Sequence, residues 1–399
     1  MRRPALLIAV LGLLVGTTWV ALPAQAVPAT GPTEVVAGQP GDVLGSEPSE
    51  FYLDPLKVLR APADVQRIEY VSTGARGGPI AVSGMLLTPT AAWSGPGERP
   101  LVSYAVGTQG MADRCAPSRQ LAAGTEYEGL FIKGLLARGY QVVVTDYEGL
   151  GTPGTHAYVN SGSLGRSVLD AARAAERLGA SSPTAPVFIA GYSEGGNAAA
   201  GALEQHASYA PEVNIVAGYA GAVPADLTAV APGLDGSPYA AFLLYSVKAL
   251  ADHYPELNID ELLNDAGRQA LERADDTCTF DGVAEFAFAS SSQYTADGQP
   301  VAGLLSRPDI AAVLEDLTLG RSAPDVPVLV AHSTLDDVVP YAQARDMARS
   351  WCRQGAEVTF APSVVPSHVG GAVASYPKAF AFLESHVRGT PLPSTCGWF

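Results

Sequence analysis

Charge is scarce in this chain of 399 residues: Asp, Glu, Lys and Arg together make up 16% of it. What charge there is leans acidic, with 24 Lys and Arg against 40 Asp and Glu for a formal net charge of -16. A surface of that sign repels phosphate backbones and anionic bilayers, which argues against nucleic acid as a partner. Also missing is any run of about 20 uninterrupted apolar residues, so no stable membrane span is expected. Cysteines number four, and their spacing does not resemble a zinc site. There is no internal repeat. Apolar residues, by contrast, are plentiful at 47%, which rules out disorder as a description of the whole chain and supplies a large core. Length alone would suggest two or three domains, but one decorated α/β domain is the expectation.

The amino terminus reads as an export signal over residues 1–26. Arg2 and Arg3 precede an apolar run over residues 5–15, broken by Gly16, Thr17 and Thr18, and Ala24-Gln25-Ala26 offers small residues for cleavage. A secreted protein is therefore expected. Cys115, Cys278, Cys352 and Cys396 all fall beyond that signal, and an even count in an exported chain favours two disulfides. Position suggests Cys115 with Cys278 and Cys352 with Cys396, with Trp398 and Phe399 packed in a compact tail, although four cysteines allow three connectivities. Residues 27–50 are rich in Pro, Gly, Thr and Ser without apolar periodicity and read as a loosely held leader.

From Phe51 the text alternates. Residues 65–72 and 80–88 suggest a β-hairpin, residues 101–106 a buried strand, and then helix 130–138, strand 141–145, helix 167–178, strand 187–190, helix 195–205 and strand 214–218 follow. This βαβα rhythm predicts an α/β fold, a mainly parallel central sheet with helices on both faces. After Pro224 the rhythm fails. Helix-like text over residues 239–250, 259–273 and 308–317 predicts an inserted helical cap. Strands then return at 326–331 and 357–360, with a last helix over 378–387. The expected organisation is a first core part over residues 51–224, a cap over 225–322 and a second core part over 323–399.

The sharpest local signal is Gly191-Tyr192-Ser193-Glu194-Gly195, a G-x-S-x-G between a strand and a small-residue helix. A nucleophilic serine needs a strained strand-to-helix turn, and glycines two before and two after it avoid collision with neighbouring backbone. The helix after it aims its N-terminus at the site and favours a developing oxyanion. A chance match in a chain with 42 glycines would rarely fall at such a junction.

Such a serine needs an acid and a base after it in the chain. The strand over residues 328–331 runs into His332-Ser333-Thr334-Leu335-Asp336-Asp337-Val338-Val339-Pro340, where Asp336 is the chosen acid. Asp337 is its rival, with a solvated or helix-capping role as the alternative. His368 is the base candidate, because among six histidines it alone lies in the loop that follows the last strand, the expected flexible loop Pro366-Ser367-His368-Val369-Gly370-Gly371. His386 reads as a surface or capping residue, His156, His206 and His253 miss the order, and His332 reads as a packed or lining residue. The oxyanion would be held by the backbone N–H of Glu194 and by that of Gln109 in the turn Gly107-Thr108-Gln109-Gly110. Together these residues predict acyl transfer through an acyl-enzyme, which requires neither metal nor cofactor.

Tyr104-Ala105-Val106, Cys115-Ala116-Pro117-Ser118, Asp146-Tyr147-Glu148-Gly149, Gly191-Tyr192-Ser193-Glu194-Gly195-Gly196 and Asp336-Asp337-Val338-Val339-Pro340-Tyr341 are landmarks of a family. On them the chain beyond Phe51 resembles the secretory lipase family of the α/β-hydrolase superfamily. The resemblance implies an α/β-hydrolase with a helical cap that acts on carboxylic esters. It carries catalytic roles onto Ser193, Asp336 and His368 and oxyanion roles onto Gln109 and Glu194. Glu194 departs from the small or neutral residues common at its position, so its carboxylate should point away or be hydrogen-bonded elsewhere. A fatty acyl ester or triacylglycerol is the implied substrate and a monomer the default. Short-chain esters or polyesters, a serine peptidase on the same scaffold and a non-catalytic binding protein remain as alternatives.

Overall fold

The structure, a computed structural model, describes residues 36–399, so the expected export signal and the first part of the expected leader lie outside the described residues. Nine strands are present among them: β1 (Val43–Ser49), β2 (Ala63–Thr73), β3 (Pro79–Pro89), β4 (Leu101–Ala105), β5 (Gln141–Thr145), β6 (Val187–Tyr192), β7 (Ile215–Gly221), β8 (Val328–Ser333) and β9 (Val358–Ser363). They form one sheet in the order β1-β2-β3-β5-β4-β6-β7-β8-β9. Contacts among β1, β2, β3 and β5 are antiparallel, and the rest, from β5 through β4 to β9, are parallel. Every residue of β4, β5, β6 and β8 is buried, as parallel strands covered on both faces must be.

The helices are α1 (Pro117–Ala123), α2 (Gly129–Ala137), α3 (Ser161–Arg177), α4 (Glu194–Tyr209), α5 (Leu227–Leu234), α6 (Ala240–His253), α7 (Asp265–Asp275), α8 (Thr279–Phe286), α9 (Pro308–Leu317), α10 (Tyr341–Arg353) and α11 (His368–Val387). One layer holds α3, α4 and α10, where Trp351 Nε1 of α10 donates to Glu204 Oε1 of α4 at 2.7 Å. The other layer joins α2 to α11 through the stacked rings of Phe131 and Phe380, 4.6 Å apart. Between β7 and β8 the chain is helical, from α5 to α9. This insertion has its own apolar cluster, built on residues such as Leu244, Leu271, Phe286 and Leu314 and anchored to the core by Met111, Tyr158 and Val159.

Several expectations need correction. Order does not begin at Phe51: β1 lies within the expected leader and pairs with β2 from Ser49↔Val65 to Val43↔Tyr70. It is a sheet edge with exposed side chains, so no apolar pattern marks it, and Pro48 is tolerated there. Helix α3 starts at Ser161, capped by the Asn160 side chain accepting from Ser163 N at 3.0 Å, rather than at 167. The text over 259–273 splits into a 3₁₀ turn (Ile259–Leu262) and α7. Helix α11 starts at His368, ten residues before the expected 378, with Pro377 in its interior.

Disulfides join Cys115 to Cys278 and Cys352 to Cys396, with Cα–Cα distances of 5.4 and 5.5 Å. The first ties the turn before α1 to the start of α8 in the insertion, and the second ties α10 to the carboxyl terminus. Phe399 stacks on Phe360 with centroids 4.5 Å apart, but Trp398, expected to be packed, is 85% exposed.

Candidate active site

Ser193 stands between β6 and α4 at φ 61° and ψ −124°, a backbone conformation that non-glycine side chains rarely adopt. Its amide donates to the Gly221 carbonyl of β7 at 2.9 Å, and its carbonyl accepts from Asn197 N at 2.9 Å. The glycines around it have no room for a side chain. A Cβ on Gly191 would lie 2.1 Å from Gly195 O, one on Gly195 2.0 Å from Ala105 O, and one on Gly196 2.1 Å from Gly221 O. The motif therefore records three backbone contacts that hold the turn.

His368 is the first residue of α11, not part of a flexible loop. The Ser367 side chain caps that helix by accepting from Gly370 N at 3.1 Å, and Tyr192, the residue before Ser193, donates its hydroxyl to the His368 carbonyl at 2.7 Å. The rings of Tyr192 and His368 lie 5.0 Å apart. Gly371 is glycine for space, since a Cβ there would come within 2.7 Å of the Tyr192 hydroxyl. Thus the base candidate is fixed to the strand that carries the nucleophile candidate.

Asp336 Oδ2 lies 2.8 Å from His368 Nδ1 and 3.3 Å from His332 Nε2, while Oδ1 accepts from Val338 N at 2.9 Å and Val339 N at 2.8 Å. Burial raises the pKa of this carboxyl, but hydrogen bonds from His332 and His368 outweigh it and hold the group well below the usual carboxylate range. Asp336 is thus ionised and only accepts. His368 Nδ1 must carry the hydrogen, and Nε2 is buried and makes no hydrogen bond to another described residue. Asp337 neither approaches that ring nor caps the helix near Pro340. It accepts from His368 N at 2.8 Å and from the Tyr239 hydroxyl at 3.1 Å.

Gln109 follows β4, and its side-chain amide donates to Glu126 Oε1 at 3.0 Å and to Gly107 O at 3.2 Å. Among the described residues, the backbone N–H groups of Gln109 and Glu194 donate to no acceptor, the second being one of the orphan donors of a helix N-terminus. Two carboxylates support the Gln109 turn: Glu128 accepts from the Tyr104 hydroxyl and from Gly107 N at 3.0 Å, beside Glu126. Burial raises the pKa of both, and the Glu128 charge raises that of Glu126 further.

Three features escaped sequence reasoning. His156 was set aside by the chain-order rule, yet its Nε2 lies 2.7 Å from Glu194 Oε1, which satisfies the carboxylate beside Ser193 as the sequence required. A buried acid next to a nucleophile was itself the signal to look for a cation. The Glu126–Glu128 pair had no signal, because nothing in the text marks those acids as buried. Third, Asp146 binds Ser118 N at 2.7 Å and Ser118 Oγ at 2.5 Å, so two sequence landmarks are halves of one clamp that starts α1.

A cavity opens at Ser193, walled by Phe242, Val338 and Val339 among others. It shares Leu227, Val230, Leu234 and Ser246 with a cavity inside the insertion, lined by side chains such as Leu243, Ile259, Leu304 and Leu314. Within 239–245, then, Phe242 and Leu243 face cavities while the Tyr245 hydroxyl packs 2.8 Å from Thr277 Oγ1. Among the described residues no cluster of His, Cys, Asp or Glu is arranged to hold a metal ion, and no helix is long and apolar enough to cross a membrane.

The family profile described as secretory lipase matches residues 116–395. A Mycobacterium tuberculosis protein named probable inactive lipase is 32% identical over 370 residues, spanning 88% of this chain and 80% of the relative. A Malassezia globosa protein named secreted triacylglycerol lipase is 28% identical, spanning 90% of this chain and 78% of the relative. Among solved structures, that of Candida antarctica lipase A in its closed state superposes with a TM-score of 0.81 at 25% identity, over 92% of this chain and 86% of that one.

Proposed function

This chain belongs to the secretory lipase family, and from that membership we propose that it is a secreted lipase whose Ser193, His368 and Asp336 hydrolyse long-chain acyl esters through an acyl-enzyme. His368 Nε2 takes the proton as Ser193 Oγ attacks the ester carbonyl, and Asp336 steadies the imidazolium that forms. The N–H groups of Gln109 and Glu194 hold the oxyanion. His368 returns the proton to the departing alcohol, and water, activated by the same ring, releases the acid. The observation that carries this reading is Ser193 at positive φ on its three-glycine turn, with His368 hydrogen-bonded to the preceding residue, Tyr192.

A fatty acyl chain is supported by the neighbouring apolar cavities at Ser193 and inside the insertion, which reads as a cap over the site. The relative named as a probable inactive lipase makes activity itself a question to test, and the intact hydrogen bond between His368 and Asp336 favours activity here. The test is a panel of p-nitrophenyl esters from acetate to palmitate, with emulsified triacylglycerol and peptide amides. Highest turnover on long-chain esters and triacylglycerol is expected. Activity confined to acetate and butyrate would reduce the protein to a short-chain esterase, and faster amide than ester turnover would overturn the lipase reading.

A further inference from the structure

The residue after Ser193 is an acid, and its charge matters because its own N–H is the proposed oxyanion donor. The Glu194 carboxylate is not solvated. Its side chain and that of His156 are each 1% exposed, and Oε1 lies 2.7 Å from His156 Nε2. The other ring nitrogen, Nδ1, lies 3.1 Å from the Glu148 carbonyl oxygen. A carbonyl only accepts, so Nδ1 carries a hydrogen. Nε2 then either donates to an ionised Glu194, as part of an imidazolium, or accepts from a protonated one. In both arrangements one proton is shared across the contact and the pair has no net charge.

The surroundings offer no substitute for that proton. Tyr147 and Tyr158, from the loop after β5, pack on the His156 ring with centroids 5.8 and 6.0 Å away. Glu148 of the same loop acts on His156, while Glu128 and Tyr127 from the segment before α2 feel the Glu194 charge, and all of these groups are acidic or phenolic. His253 faces Glu148, at 3.8 Å, rather than the pair. Burial lowers the pKa of the His156 ring, but the Glu194 charge and its hydrogen bond outweigh that and raise it above the ordinary histidine value. A raised value means that the shared proton is held to higher pH than on an ordinary histidine and leaves as pH climbs.

With the oxyanion role of the Glu194 N–H as its premise, we propose that His156 is a positioning residue for ester hydrolysis, which shares one proton with Glu194 and so keeps the pair without net charge and the residue after the nucleophile tied to the loop after β5. The developing oxyanion then meets a backbone N–H without an uncompensated buried carboxylate beside it. Loss of the proton at alkaline pH leaves one negative charge next to a site that must stabilise another, and turnover falls. This requirement exists only because residue 194 is an acid.

The test measures kcat and KM for one p-nitrophenyl ester from about pH 6 to about pH 10 in the full chain and in H156F, E194Q and the double variant. In H156F, kcat should drop by about 10²-fold with KM little changed, on the scale of losing an oxyanion donor. The same substitution in the E194Q background should cost less than about threefold, and the alkaline limb of the wild-type profile should vanish in E194Q. Equal losses in both backgrounds, or an alkaline limb that survives in E194Q, would overturn the proposal. If H156F does not fold, the pH profiles of wild type and E194Q decide alone. Fluorophosphonate labelling of Ser193 separates the two levels: no labelling overturns the site assignment and this inference with it, whereas labelling with uncoupled variants overturns this inference only.

Discussion

Asp336 and Asp337 are adjacent and chemically identical, and the sequence leaves both open as the acid because either can leave a strand end toward an imidazole. Their partners separate them. Asp336 receives the His368 ring nitrogen at 2.8 Å, and Asp337 receives the His368 backbone at 2.8 Å. Asp336→Asn should therefore lower turnover by roughly 10⁴-fold, as in triads whose imidazole is held in the wrong tautomer. Asp337→Asn removes only a charged tether at the start of α11 and should cost less than about tenfold. Steady-state kinetics on one ester decides, and a larger loss in Asp337→Asn would exchange their roles. His156 shows the opposite limit of sequence reasoning at this scale, since the chain-order rule for triads discards a residue whose importance comes from touching Glu194.

At the scale of elements, the buried strands were legible because parallel strands covered on both faces read as short apolar runs, and β6 with the glycines around its end placed Ser193 directly. Elements whose text is polar, small or interrupted were not. The β1 side chains face solvent, α3 opens with Ser161, Gly162 and Ser163, and α11 carries Gly370, Gly371 and Pro377. Those glycines read as a flexible loop, and the expected helix began only after Pro377. In the fold, Gly371 instead lets α11 approach Tyr192, and Val373, four residues before Pro377, is exposed, so a carbonyl without its helical partner can be hydrated. Gly371→Ala would place a methyl group 2.7 Å from a Tyr192 hydroxyl that cannot swing away, because Tyr192 is 2% exposed. The N-terminus of α11 must then shift and carry His368 with it. A fall in kcat of about 10²-fold is expected, since displacement of a catalytic group by about 1 Å costs that much. Unchanged kcat in a folded Gly371→Ala protein would show that the contact does not position the base.

For the whole molecule, composition and alternation fixed the class of fold, and the break in rhythm after Pro224 located the helical insertion. What they left hidden was how the insertion meets the site. The walls of the Ser193 cavity come from α5, α6 and the segment before α10, elements far apart in the chain, and only the folded arrangement joins them into a space that shares lining residues with the insertion's interior cavity. The Cys115–Cys278 bond spans 163 residues and fastens that insertion close to the Gln109 turn, where Thr279 N donates to Gln109 O at 2.9 Å. The proposed mechanism rests on one oxygen atom, Ser193 Oγ, acting as an activated nucleophile. Incubation of the folded protein with a fluorophosphonate probe, followed by peptide mass spectrometry, tests that claim most directly. A single adduct at Ser193 is predicted, absent from Ser193→Ala together with esterase activity. A folded protein with no adduct, or a Ser193→Ala protein that keeps near wild-type ester turnover, would contradict it.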